Sequence, residues 1–207
     1  MRVGVFLFDG VDLLDAGGPY EVFLTASRLA ARDGLAAPFE VITVSRTGEP
    51  VVAYGGLGLA PQAGIADCGP LDVLIVPGTI DVDAATGDDD LVAAIDHLAA
   101  ASGLTASVCT GAFLLAAAGL LDGREWTTHW EDVDLLARRL GADRAVRGVR
   151  WVDADDVVTA AGLSSGIAMA LHLVDRLAGR ELAERTARQI DDDWHPDGVA
   201  AHHAGLS

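Results

Sequence analysis

Short, largely apolar runs recur along the chain, and each one stops at a turn. Residues 3–8 and 71–76 are followed by Asp-Gly and Pro-Gly, and residues 104–108 run directly into a cysteine. Such runs are typical of strands buried on both faces, because a strand with one wet face alternates apolar and polar side chains. Helical periodicity follows these runs. The pattern therefore predicts crossover units and a mostly parallel sheet.

The predicted fold is α/β, a three-layer sandwich with helices on both faces of the sheet. Further strands are predicted at residues 39–45, 146–152 and 157–161, and residues 51–60 are predicted to form a strand or the arm of a hairpin. Helices are predicted at residues 19–29, 91–101, 130–140, 164–177 and 181–190, with another directly after Cys109. A chain of 207 residues suits a single domain, which we assign to residues 1–207. Residues 191–207 are expected to form an irregular tail.

Composition excludes several classes of function. The net charge of −17 argues against nucleic acid or an anionic membrane as a partner, since both require a basic surface. The chain has 14 arginines and no lysine, which removes Schiff-base chemistry, pyridoxal phosphate attachment and the lysine of a phosphate loop. No apolar stretch approaches the ~20 residues of a membrane span, and no secretion signal is visible. We expect a soluble, cytoplasmic protein.

Cysteine usage points to one reactive residue. Two cysteines are too few for a disulfide framework or a four-cysteine zinc site. Cys109 lies between a strand and an alanine-rich helix, where unpaired backbone N–H groups are expected to lower the pKa of its thiol. Gly111 and Ala112 supply the small residues that such a turn needs. The alternative is an inert core cysteine. Cys68, in a loop, has no activating neighbour.

Parallel strands deliver their carboxyl ends to one edge of a sheet, where ligands collect. This places Asp15, Gly78 and Cys109 at one crevice. Asp15 can exchange protons with the thiol, although a helix cap is an equally simple role for it. The N–H groups of Gly78 and Thr110 are candidates for an oxyanion site, unless Gly78 is an ordinary turn glycine. His129 could orient or activate the thiol, or could be structural.

The C-terminal segment offers a weaker candidate site. His195, His202 and His203 lie near residues 191–193, which are all aspartate, and such side chains can ligate metals. Terminal segments of this composition are usually solvated, so no metal site is predicted. Trp126, Trp130, Trp151 and Trp194 are interpreted as anchors of the core or of an interface.

Five motifs, in order, resemble the ThiJ/PfpI superfamily, and within it isonitrile hydratases and the sensor halves of certain AraC-type regulators. The motifs are Leu14-Asp15-x-x-Gly18-Pro19-x-Glu21-Val22-Phe23, Val76-Pro77-Gly78, Ser107-Val108-Cys109-Thr110-Gly111-Ala112, Thr127-Thr128-His129-Trp130 and Ala161-Gly162-Leu163-Ser164-Ser165-Gly166. The resemblance covers nearly the whole chain. It implies a flavodoxin-like sandwich, a homodimer, a cysteine on a strained nucleophile elbow, and no cofactor or metal.

The resemblance also implies roles for the site residues. Cys109 would attack the terminal carbon of an isonitrile, a small carbon electrophile, and water would then release an N-substituted formamide. Asp15 would shuttle protons, Thr110 would donate through its hydroxyl and N–H, and His129 matches the family histidine. Thr79 stands where a second oxyanion glycine is usual, although its N–H could still donate.

The sequence departs from the family pattern at two further places. Ala168 stands where an acidic residue is common, and the segment 191–196 replaces an aromatic, proline-rich one. Other activities stay open. Enzymes of the glyoxalase and deglycase type generally have glutamate where Asp15 stands, and a peptidase needs a well-oriented Cys-His pair. The alternative that is not an enzyme is a module that binds a ligand or senses redox state without turnover.

Overall fold

The protein, in a computed structural model that describes residues 1–198, is built on one central sheet. Its strands are β1 (Arg2–Leu7), β2 (Glu40–Ser45), β5 (Ala63–Gly64), β6 (Val73–Val76), β7 (Leu104–Val108), β8 (Trp151–Ala154) and β9 (Val157–Ala160), and a separate hairpin pairs β3 (Val51–Val52) with β4 (Gly58–Leu59). The sheet order is β5-β2-β1-β6-β7-β9-β8. Only β8 runs antiparallel to its neighbour in this sheet. The predicted mostly parallel α/β sandwich is confirmed.

Helices cover the sheet. They are α1 (Leu13–Arg32), α2 (Val82–Thr86), α3 (Asp89–Ala100), α4 (Gly111–Ala117), α5 (Val133–Leu140), α6 (Ser165–Ala178) and α7 (Arg180–Gln189). One group, α1, α6 and α7, packs together, and α2, α3 and α4 form a second group. Between these layers the middle strands are fully buried, with Val5, Ile75 and Ala106 each 0% exposed. Burial on both faces explains why these strands are apolar throughout.

The strand order reverses between β1 and β6. The chain leaves β1 through α1 and pairs β2 on one side, whereas it leaves β6 through α2 and α3 and pairs β7 on the other. Right-handed crossovers in opposite directions put their helices on opposite faces and open a crevice at the carboxyl ends of the two strands. Asp15 follows β1, Gly78 follows β6 and Cys109 follows β7, so all three residues reach this crevice.

Helix α1 begins earlier than predicted. We expected it to start at Pro19 after a glycine turn, but it starts at Leu13 and contains Pro19. Asp12 caps it by accepting the Leu14 N–H, at 3.1 Å. Gly18 is a packing position within the helix, since a Cβ there would lie 2.9 Å from the Ile167 side chain of α6. Asp15 therefore lies inside the first turn and not in front of the helix.

Residues 51–60 form the short hairpin of β3 and β4, which is one of the two predicted alternatives. Several other boundaries differ from the prediction. The strand expected at 146–152 begins only at Trp151. The helix expected from Trp130 begins at Val133, whereas β5 and α2 were not predicted at all. Both missed elements have five residues or fewer, too short to show a period of their own.

Three of the four tryptophans are buried, as predicted for core anchors. Trp126, Trp151 and Trp194 are 8% exposed or less, whereas Trp130 is 59% exposed. The Trp194 indole N–H donates to the Ala168 carbonyl at 3.1 Å and so fastens residues after α7 onto α6.

The C-terminal segment is described only in part. Residues 192–198 contain no helix or strand, while His202 and His203 lie outside the described residues. Up to Gly198, no group of three His, Cys, Asp or Glu side chains is arranged to hold a metal ion. Within the same range, no helix has the length and apolar character needed to cross a membrane.

Candidate active site

Cys109 occupies a strained turn between β7 and α4. Its φ of 56° lies in the left-handed region, which non-glycine residues seldom adopt. The surrounding backbone holds it there: its N–H donates to the carbonyls of Ala160 and Ala161 at 3.1 and 3.0 Å, and its carbonyl accepts the Thr128 hydroxyl at 2.8 Å. The side chain is partly exposed. This geometry is that of a nucleophile elbow.

Steric constraints require a glycine at position 111, two residues after Cys109. A Cβ on Gly111 would lie 2.3 Å from the Val76 carbonyl oxygen, a distance that real atoms do not reach. The absence of a side chain lets the first residues of α4 pack directly against the end of β6. Gly111 therefore sets how closely Cys109 approaches the neighbouring strand end.

Asp15 is the buried acid of this crevice. Its side chain is 0% exposed, and Oδ2 accepts the Gly78 N–H at 3.1 Å. The other oxygen, Oδ1, is buried and has no hydrogen-bond partner of standard geometry among the described residues. The Cys109 thiol lies close enough to interact with this carboxyl. Such a contact commonly tightens only when substrate is bound.

Burial keeps a proton on Asp15. The pKa of this carboxyl rises from its ordinary value of 3.8 to about 7, first because burial penalises the charged form and second because of the negative charge of Asp12. The Gly78 N–H and the Cys109 thiol oppose the rise but do not cancel it. Asp15 can therefore both give and take a proton near neutral pH.

The thiol is not the thiolate that the sequence predicted. The pKa of Cys109 rises to about 12, mainly through burial and then through the charge of Asp15, so the prediction of a lowered pKa is wrong. The N–H groups of Leu163 and Thr110 hydrogen-bond to the sulfur and lower its pKa, but they are outweighed. Helix α4 has only seven residues, so its dipole offers little help. At neutral pH the sulfur keeps its proton until a base removes it.

The predicted oxyanion donors are already engaged. The Gly78 N–H donates to Asp15, and the Thr79 N–H donates to the Thr110 hydroxyl oxygen at 2.8 Å. That hydroxyl in turn donates its proton to the Thr79 carbonyl at 2.6 Å. In this structure each of these protons therefore has an internal acceptor, and the donor roles for Gly78, Thr79 and Thr110 stay predictions. These residues also join the ends of β6 and β7.

Gly78 tolerates no side chain in this arrangement. A Cβ there would lie 2.5 Å from Thr110 Oγ1 and 2.8 Å from Asp15 Oδ2. The backbone of the β6 end must come this close for its N–H to reach the carboxylate. Gly78 thus positions Asp15.

His129 has no described contact with the thiol. Its Nδ1 lies 3.4 Å from Asp132 Oδ2, and its ring lies against Gly162, where a Cβ would be 2.4 Å from Cδ2 of the imidazole. Gly162 precedes Leu163, whose φ of 33° is left-handed and whose N–H lowers the pKa of Cys109. The described contacts of His129 are thus with Asp132 and with the loop next to Cys109, which favours the structural role.

Three contributors were missed by the sequence analysis. Leu163 and Thr128 belong to the motifs named above, but the sequence predicts no role for them. The Leu163 N–H lowers the pKa of the Cys109 thiol, and the Thr128 hydroxyl donates to the Cys109 carbonyl. Asp12 was not considered, although an aspartate directly before a helix start is a recognisable capping signal.

Comparisons with known proteins identify the family of this chain. Residues 1–176 match the DJ-1/PfpI family. The isonitrile hydratase of Pseudomonas putida is 35% identical over 195 residues, which cover 92% of this chain and 78% of that enzyme. A ThiJ/PfpI family protein from Pseudomonas syringae, known from its crystal structure, aligns with a TM-score of 0.81 at 28% identity over 99% of this chain and 78% of that protein.

A second kind of relative is a regulator. The HTH-type transcriptional regulator GbdR of Pseudomonas aeruginosa is 30% identical over 182 residues, which cover 87% of this chain and 48% of the regulator. The fold shared by all these proteins therefore serves both an enzyme and a regulator. The family match covers most of the chain, and the chain belongs to the DJ-1/PfpI family.

Proposed function

We propose that the protein hydrates isonitriles to N-substituted formamides through a covalent bond to Cys109. The observation that carries this proposal is the buried Asp15 carboxyl beside the thiol, with one oxygen held by Gly78 and the other without a standard partner in the described structure. An isonitrile needs a proton and a nucleophile at the same carbon atom. A carboxyl that exchanges its proton near neutral pH, next to a thiol, supplies both.

In the first step the Asp15 carboxylate accepts the thiol proton and then donates it to the terminal carbon of the isonitrile. The sulfur forms a bond to the same carbon, giving a thioimidate, R–N=CH–S, on Cys109. One proton moves from sulfur to carbon, so atoms and charge balance. The high pKa of the thiol makes this transfer necessary, since the sulfur is protonated at rest.

In the second step water adds to the thioimidate carbon. Asp15 accepts a proton from the water and delivers a proton to the nitrogen, which gives R–NH–CH(OH)–S on Cys109. The carbon–sulfur bond then breaks, the hydroxyl proton returns to the sulfur by way of Asp15, and the formamide R–NH–CHO leaves. Splitting the hydration in this way replaces one difficult step with two easier ones.

The engaged backbone donors favour an isonitrile over a carbonyl substrate. Attack on a carbonyl creates an oxyanion that needs N–H donors, yet the Gly78 and Thr79 N–H groups are already bonded. Protonated addition to an isonitrile carbon gives a neutral thioimidate and needs no such pair. This argues against the glyoxalase, deglycase and peptidase alternatives.

The redox-sensing alternative is also less favoured. Redox-sensor cysteines are low-pKa thiols, whereas burial raises the pKa of Cys109. Ligand binding without turnover agrees with the similarity to a regulator and is separated from catalysis by the assay below. A homodimer and a cytoplasmic location stay predictions.

The test is product formation from a panel of alkyl and aryl isonitriles, with α-dicarbonyls in parallel. We expect the purified protein to form the N-substituted formamide, Cys109→Ala to form none, and Asp15→Asn to be slower by about 10²-fold or more. Cys68→Ala is the matched control and should keep full activity, because Cys68 lies in the core and bonds only nearby carbonyls. Absence of formamide with every isonitrile, or turnover that Cys109→Ala retains, would overturn the proposal.

A further inference from the structure

Asp12 is held at the mouth of the same crevice by both its backbone and its side chain. Its N–H donates to the Gly78 carbonyl at 2.8 Å, and its carboxylate accepts the Leu14 N–H at 3.1 Å. The Gly78 N–H donates in turn to Asp15. The Gly78 residue is thus bound on one side by Asp12 and on the other by Asp15, which fixes the two aspartates relative to each other.

The spacing of the two aspartates gives Asp12 an electrostatic effect on the acid. Residues three apart at a helix start are neighbours on its surface. The first turn of α1 carries a partial positive charge, which on its own would favour an ionised Asp15. The negative charge of Asp12 at the cap acts in the opposite direction and raises the pKa of Asp15. Asp12 acts in the same direction on Cys109.

The structure assigns Asp12 the role of a positioning residue for the Asp15–Cys109 pair: it fixes the start of α1 and keeps both protons on the pair by placing a negative charge beside it. This inference rests on the pair used in the proposed function. Asp12 forms hydrogen bonds with Leu14 and Gly78. Its action is through Asp15 and Cys109.

Few other groups compete for this effect. Within the described part of the chain, the titratable groups that shift the pKa of Asp15 are Asp12, at the cap of α1, and Cys109, on the elbow. The β6 end contributes the Gly78 and Thr79 segment, and the start of α6 contributes Ile167 against Gly18; none of these side chains is ionisable. Removal of the Asp12 charge should therefore change the ionisation of the pair without a compensating neighbour.

The test measures how fast iodoacetamide alkylates Cys109 as a function of pH, followed by peptide mass spectrometry. Only the thiolate reacts, so the rate reports the ionisation of the pair and needs no isonitrile turnover. Asp12→Asn keeps a good helix cap but loses the charge. We expect its profile to shift to lower pH by on the order of half a unit, or about threefold faster alkylation at pH 8.

Two further variants separate charge from structure. Asp12→Ser, an uncharged residue that also caps helices, should behave like Asp12→Asn. Asp88→Asn makes the same change at the cap of α3, where Asp88 accepts the Leu91 N–H at 3.0 Å, and should leave the profile unchanged. A profile of Asp12→Asn that superimposes on the wild type would overturn the inference. Because alkylation is independent of hydration, a failed isonitrile assay leaves this test decisive.

Discussion

Replacement of Asp15 with asparagine should stabilise the protein in a pH-dependent way. The pKa of this carboxyl is 3.8 when unperturbed and about 7 in the folded protein. Between these values the folded state binds a proton that the unfolded state has released, so the contribution of this carboxyl to stability falls as pH rises from about 4 and is fully lost above about 7. The difference of about three pH units, at about 1.4 kcal/mol each, corresponds to about 4 kcal/mol.

Asparagine has nearly the same shape and carries no charge at any of these pH values. Its amide oxygen can still accept the Gly78 N–H. Relative to the wild type, the free energy of unfolding of Asp15→Asn should therefore gain about 2 kcal/mol more at pH 8 than at pH 5.5, whatever constant offset the amide itself introduces.

The measurement is urea-induced unfolding followed by tryptophan fluorescence at both pH values. Asp122→Asn is the matched control, because Asp122 is exposed and its substitution should change stability by less than about 0.5 kcal/mol at either pH. An advantage of Asp15→Asn that is equal at the two pH values, or larger at pH 5.5, would refute the assignment of Asp15 as a buried acid with a raised pKa.

Three more predictions concern the same crevice. Thr110→Val removes both hydrogen bonds to Thr79 and should lower the free energy of unfolding by about 1–3 kcal/mol in thermal or urea unfolding. Thr110→Ser keeps the hydroxyl and should recover most of this loss. Equal stability of the two variants would contradict the reciprocal hydrogen bonds. Gly78→Ala places a Cβ 2.8 Å from Asp15 Oδ2 and should lower both the stability and the rate of isonitrile hydration. A variant that is active and fully stable would show that the end of β6 lies farther from Asp15 than this. For hydration of an isonitrile, kcat/KM should fall below about pH 7 as Asp15 becomes protonated and can no longer accept the Cys109 proton. A rate that stays level down to pH 5 would remove this base from the first step.

The sequence predicts the place of the site better than its chemistry. Cys109 was located from the apolar run before it, and Asp15 and Gly78 from the rule that ligands collect at the carboxyl ends of parallel strands. Both inferences use local pattern and topology alone. The structure brings these three residues together at the point where the strand order reverses.

The ionisation of the pair could not be predicted, because it depends on contacts distant in sequence. Asp15 contacts Gly78, which is 63 residues away in the sequence, and the helix that carries Asp15 packs on α6 where Gly18 meets Ile167. The sequence next to Cys109 indicates only the peptide dipoles at the start of α4, which would lower the pKa of the thiol. Burial and Asp15, which raise it, come from residues distant in sequence. The start of α1 was missed for a local reason, since Gly17, Gly18 and Pro19 were interpreted as a turn.

The internal partners of the candidate donors could not be predicted for a similar reason. The sequence shows that Thr79 and Thr110 have N–H and hydroxyl groups, but not that these groups satisfy each other across two strand ends 31 residues apart. Buried polar groups find partners, and the partner is decided by tertiary structure. Leu163 illustrates the converse, because nothing in an apolar side chain indicates that its backbone N–H contacts the sulfur.

The central claim is that Cys109 forms a covalent bond with the isonitrile carbon. Intact-protein mass spectrometry after rapid mixing with benzyl isonitrile and an acid quench tests it most directly. We expect the chain to gain the mass of one whole isonitrile molecule, located on the Cys109 peptide, while N-benzylformamide accumulates. Formamide production without any adduct, or with the added mass on a different residue, would contradict the account.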